Sequence, residues 1–209
     1  MANAAMKFQR VQGSIIKSIR QISLYKEWLH LRGSESVPLF DDFIPDTRSG
    51  DAHDIAMTDV VVAPKGMRLM CRKAGKRFEE AYGQPMRKRF IDECLPPVMT
   101  QAARPMWEAC VDLKLPIYMI IPTADRDGVP VTLEQLFLPF GEDSTTPTHV
   151  IASLNTFSTE GRYQLDGLLQ PQREQAPLHW AVVIDPEVTL VPNASPPSND
   201  VIELEDLDI

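Results

Sequence analysis

The chain has 209 residues, 44% of them hydrophobic and 24% charged, which suits one soluble globular domain with extensions. No apolar run approaches the roughly 20 residues that a bilayer span needs. Residues 1–6 lack the pattern of a secretory signal, so a cytoplasmic protein is expected. The formal charge of −8 belongs to the C-terminal end: eight acids follow the last basic residue, Arg173, and the chain up to that point carries 21 basic and 21 acidic residues.

Taken in chain order, Phe8, Val11, Ile15, Ile19, Ile22, Tyr25 and Leu29 follow steps of three and four, so one amphipathic helix is expected up to Arg32, stopped by Gly33. Lys7, Arg10, Lys17, Arg20 and Lys26 make it basic. Three uses suit such a helix: packing on its own domain, a homodimer seam, or contact with a membrane surface. A loop follows over residues 33–57, marked by Pro38, Pro45 and Ser49-Gly50.

Val60, Val61 and Val62 mark a strand, Pro64-Lys65-Gly66 a turn, and residues 67–73 a second strand, which together read as a hairpin. Residues 74–82 read as a short helix with Gly83 as its C-cap. Pro85 opens a second helical piece running through Glu93, and residues 98–114 form a longer helix that Pro105 bends or divides. Residues 115–122, 131–140 and 149–157 read as three strands. Two strands, short helices and three strands predict an α+β domain over 58–158. It has an antiparallel five-stranded sheet with the short helices on one face. In the extension over 159–209, Trp180 to Ile184 fits one more strand or a docking segment. Disorder is expected from about residue 192, where Pro, Ser and Asn accumulate.

Several local motifs resemble a PAS-domain family found mainly in alphaproteobacteria. They are Leu24-Tyr25-Lys26-Glu27-Trp28-Leu29-His30-Leu31-Arg32 with Pro38 and Asp42-Phe43-Ile44-Pro45, then Arg72 to Phe78 with Tyr82-Gly83, then Leu133-Glu134-Gln135-Leu136-Phe137-Leu138-Pro139-Phe140. The resemblance spans residues 24–157. It implies small stand-alone signalling regulators, acting in bacterial cell-cycle or motility control, with no catalytic set and no defined cofactor. The extension beyond Phe157 departs from the family pattern.

The residues argue against the usual cofactors. His30, His53, His149 and His179 lie off the helices that would face a haem. Neither Cys71-Arg72 nor Cys94-Leu95 sits in the Asn-Cys-Arg setting of a flavin photosensor. Cys71, Cys94 and Cys110 match no zinc or redox spacing and read as buried thiols. Phe78, Met106, Cys110 and Met119 face one another in a PAS arrangement, either as a filled core or as the lining of a small ligand pocket.

Charge supplies the other candidate site. Between Lys65 and Arg89, nine cations face only Glu79 and Glu80; among the cations are Arg72, Lys73, Lys76, Arg77, Arg87, Lys88 and Arg89. Such a strip is either a solvated face or a docking surface for an anionic partner. Nucleic acid is the poorer candidate, since no DNA-binding module accompanies the charge. Glu203, Glu205, Asp206 and Asp208 alternate with aliphatic residues, as in a short motif that orders on binding. That tail either recruits a partner or folds back on the basic strip. The reading is a non-enzymatic signalling regulator that works by protein–protein contact; the alternative is a small-molecule sensor whose pocket controls dimerisation.

Overall fold

A computed structural model describes residues 8–45, 51–64, 66–170 and 180–188. In chain order its elements are β1 (Gln9–Val11), α1 (Ile19–Arg32), β2 (Ile55–Ala63), β3 (Gly66–Ala74), α2 (Lys76–Tyr82), α3 (Pro97–Leu113), β4 (Ile117–Ala124), β5 (Pro130–Gly141), β6 (Pro147–Phe157) and β7 (Trp180–Ile184). All strands join one seven-stranded sheet in the order β1-β7-β4-β5-β6-β2-β3.

The five expected strands stand side by side and antiparallel. The expectation of five strands is corrected to seven. β7 adds antiparallel to β4, and β1 adds parallel to β7, so the sheet is mixed. β1 also corrects the reading of residues 6–32 as one helix. Val11 is drawn into the sheet opposite Ile184, and its carbonyl accepts from Asp185 N–H at 2.9 Å. Gly13 follows in a 3-10 turn, where the Tyr25 ring lies against its backbone and a side chain would collide with it. The helix then runs from Ile19 and stops at Gly33, which takes φ 54 and donates to Leu29 C=O.

The helical stretch expected over 85–93 is also corrected. Only Ile91–Glu93 forms a 3-10 turn, and the residues before it run beside β3. Cys71 N–H donates to Arg89 C=O and Lys88 N–H to Cys71 C=O, so sheet-like pairing takes the backbone groups that a helix would have used. Gly83 caps α2 as expected, in the left-handed conformation at φ 66. Pro105 leaves α3 undivided over its 17 residues.

The sheet is buried on both faces. Alternate residues of β5 point opposite ways. Leu133 and Phe137 pack with Phe78, Met99, Met106 and Cys110 under α2 and α3. Leu136, Leu138 and Phe140 pack with Leu24, Tyr25 and Trp28 of α1. The central strands therefore read as nearly continuous apolar runs. Trp28 is fully buried and donates its indole N–H to Pro139 C=O at 2.8 Å. The apolar face of α1 is thus taken up by the chain's own sheet, the first of the three uses expected for it. Among the described residues no helix is long and apolar enough to cross a membrane.

Candidate functional site: a buried inner layer and a basic corner

The four pocket candidates do come together. Phe78 on α2, Met106 and Cys110 on α3, and Met119 on β4 belong to one cluster and are at most 2% exposed. Phe78 stacks on Tyr82 with ring centroids 5.3 Å apart. The extension seals the end of this layer: Leu168 and Leu169 are buried, and Gln170 Nε2 donates to the carbonyls of Tyr82 and Cys94.

The basic strip is redistributed by the fold. Arg68 makes a two-pronged bond to Asp92 and reaches Glu93, with its guanidinium over the Phe90 ring. Arg72 pairs with Asp59 at 2.8 Å, and Arg77 Nε stands 2.8 Å from Asp54 Oδ1. Lys76 approaches Glu80 at 3.7 Å, one helical turn away. Arg89 bonds Gln84 and the Glu93 carbonyl. Four of these acids, Asp54, Asp59, Asp92 and Glu93, lie outside the stretch that holds the cations, so counting charge along that stretch overstated the strip.

Lys73, Arg87 and Lys88 remain exposed, with no ion pair among the described residues. They share one corner because residues 86–90 run antiparallel to the edge strand β3, through Met70↔Phe90 and the two Cys71 hydrogen bonds. A turn closed by Arg89 N–H on Met86 C=O holds Lys88 at φ 62, a conformation few side-chain-bearing residues adopt. The turn presents two adjacent cations to solvent. Glu203, Glu205, Asp206 and Asp208 lie outside the described residues.

His149 sits near this corner. Its ring stacks on Phe40 at 4.0 Å. Nε2 is 3.1 Å from an Arg72 nitrogen and Nδ1 is 2.9 Å from Thr148 Oγ1. Nε2 also stands 3.3 Å from Asp59 Oδ1, so this ring nitrogen lies between a guanidinium and a carboxylate. Burial first, then Arg72, lowers the His149 pKa, against the opposing pull of Asp59. Leu39, Phe40, Arg72, Glu142 and His149 line a shallow cleft of about 340 Å³ beside it.

The model of the PAS domain family matches residues 16–155, about two-thirds of the chain. The chain belongs to the PAS domain family. No curated protein matches this PAS domain. A solved structure, that of an RNA-binding light-oxygen-voltage receptor, is similar to it at 22% identity with a TM-score of 0.34. The likeness covers 56% of this chain and 36% of the receptor's, so it spans about a third of the receptor's length. PAS domains are generally sensor and signalling modules.

In this PAS domain Cys71, Cys94 and Cys110 are buried and unbridged. Burial pushes the Cys71 thiol up to about 12 and raises Cys94 and Cys110 as well, so none is a ready nucleophile. Sequence reasoning passed over a second group of residues, on the α1 face. Gln21, Tyr118 and Glu134 are all at most 1% exposed; the Tyr118 hydroxyl stands against the Glu134 carboxyl, and Gln21 Oε1 has no hydrogen-bond partner among the described residues. The available signal was Glu134-Gln135 standing inside an otherwise apolar strand.

Proposed function

We propose that this PAS domain is a non-enzymatic signalling regulator of the bacterial cytoplasm that docks an anionic protein surface through Lys73, Arg87 and Lys88. The observation that carries the reading is the corner itself. Fixed backbone pairing gathers three cations that have no ion pair among the described residues beside an edge strand, whereas most other cations of the stretch are satisfied within the domain. The close burial of Phe78, Met106, Cys110 and Met119 in one cluster favours contact over occupancy of an inner pocket as the means of signalling. The resemblance of the motifs at 24–45 and 133–140 to stand-alone bacterial regulators favours a cell-cycle or motility pathway.

Charge at such a surface governs encounter rate and specificity and is sensitive to salt. The test is affinity capture by the full-length chain and by a triple variant, Lys73→Glu, Arg87→Glu and Lys88→Glu, with equal melting temperatures as the control for folding. The expected result is one set of partners retained by the parent at low salt and lost both at high salt and from the variant. Recovery of the same partners by both proteins at every salt concentration would sink the proposal. A chain ending at Asp200 separates the two roles of the tail: partner loss marks recruitment, and partner gain marks masking of the corner.

A further inference from the structure

Residues 163–170 lie beyond the segment shared with the PAS family, and they are tied down at both ends. Gln164 N–H donates to Asp125 Oδ2 at 2.8 Å and Asp166 pairs with Arg126, which fixes the start of the segment on the turn between β4 and β5. At the other end Gly167 N–H donates to Glu80 C=O at 2.8 Å and Leu169 N–H to Ala81 C=O at 2.9 Å. Gln170 Nε2 donates to Tyr82 C=O at 2.9 Å and to Cys94 C=O at 2.8 Å. The last carbonyls of a helix have no partner within it. Those of Glu80, Ala81 and Tyr82, at the end of α2, all accept from this segment.

The two acceptors of Gln170 are also the two ends of one loop. Residues 83–93 leave α2 after Tyr82, carry Arg87 and Lys88, and lead back to Cys94. Inside the loop, Gln84 Nε2 donates to the same Cys94 carbonyl, Arg89 donates to Gln84 Oε1, and Met86 N–H donates to Glu79 Oε1. Gln84 and Gln170 thus close the base of the loop. The backbones meet there as well, since a Cβ on Gly83 would stand 3.3 Å from Gly167 Cα. Taking Lys73, Arg87 and Lys88 as the docking surface, we propose that residues 163–170 are a strap that regulates it. Gln170 is the positioning residue that holds the loop base closed, and release of the strap from α2 loosens the loop that presents Arg87 and Lys88. Coupling of this kind is reciprocal, so an anionic partner that fixes the loop also tightens the strap.

The test uses the full chain and two variants that leave its charge unchanged. Gln170→Met keeps the side-chain length without the donor. Gly167→Ala puts a Cβ at φ 73 and so strains the strap without touching Gln170 or the loop cations. NMR relaxation reads the loop, and titration with a short polyglutamate peptide reads the docking surface. Both variants are expected to lower the order parameters of the Met86 to Arg89 amides from the rigid range of about 0.85. Those of α1 and β5 stay at parent values, and polyglutamate affinity falls about fivefold. Polyglutamate is expected in turn to slow hydrogen exchange at the Gly167 and Leu169 amides of the parent. Unchanged order at residues 86–89 in both variants, or a loss of order shared equally with α1 and β5, would overturn the strap as a clamp. A loosened loop with undiminished polyglutamate affinity would overturn its control of docking. Failure of the docking surface itself is told apart by the Lys73→Glu, Arg87→Glu, Lys88→Glu variant: equal polyglutamate binding by that protein and the parent removes the surface, and the strap's control of it, whatever the order parameters show.

Discussion

His149 shows how one buried side chain ties the docking corner to pH. The ring touches Arg72 and Thr148 and stacks on Phe40, so protonation would place a second cation against Arg72. Its folded pKa lies below the ordinary value of about 6.5. The unfolded chain therefore takes up the proton first. Above about pH 6.5 the residue costs nothing, and stability is lost as pH falls below that value toward the folded pKa. The parent is expected to lose more melting temperature than His149→Gln between about pH 7.5 and pH 5, so that the gap between the two proteins narrows in acid. A gap that stays constant across this range would show that His149 does not couple stability to pH.

At the scale of elements, α1 is held to the sheet by two unlike halves. Its C-terminal half carries Tyr25 and Trp28, and the Trp28 indole is both buried and hydrogen-bonded. Its N-terminal half rests on Gln21, whose buried amide donates to the Glu134 and Ser153 carbonyls. Trp28→Ala is expected to cost about 3–5 kcal/mol. Hydrogen exchange should then show α1 amides opening before those of α2 and α3, which pack on the other face; simultaneous opening of all three helices would contradict separate layers. The helical period from Ile19 onward and the stop at Gly33 were legible because both are local. β1 was not: its three residues are strand only because β7 lies beside them, some 170 positions away. The failed helix over 85–93 has the same cause, since its backbone partner is Cys71 on β3.

Over the whole molecule, the order of strands and helices carried the fold, because the five central strands pair in a pattern their sequence order already suggested. Charge was far less legible. Nine cations crowd one stretch of chain, yet Asp54, Asp59, Asp92 and Glu93 neutralise much of it from other segments, and only the fold brings them there. The candidate docking surface thereby contracts to the corner made by Lys73, Arg87 and Lys88. The buried polar groups under α1 were hidden for a related reason, since Gln21 reads as an ordinary polar position on a helix until Glu134 and Ser153 are placed beneath it. The most direct test of the central claim is a hydrogen-exchange footprint of the chain bound to a salt-sensitive captured partner against the free chain. The account predicts protection at residues 70–73 and 86–90, with the outer surface of α1 unchanged. Protection confined to α1, or to any other surface away from this corner, would contradict it.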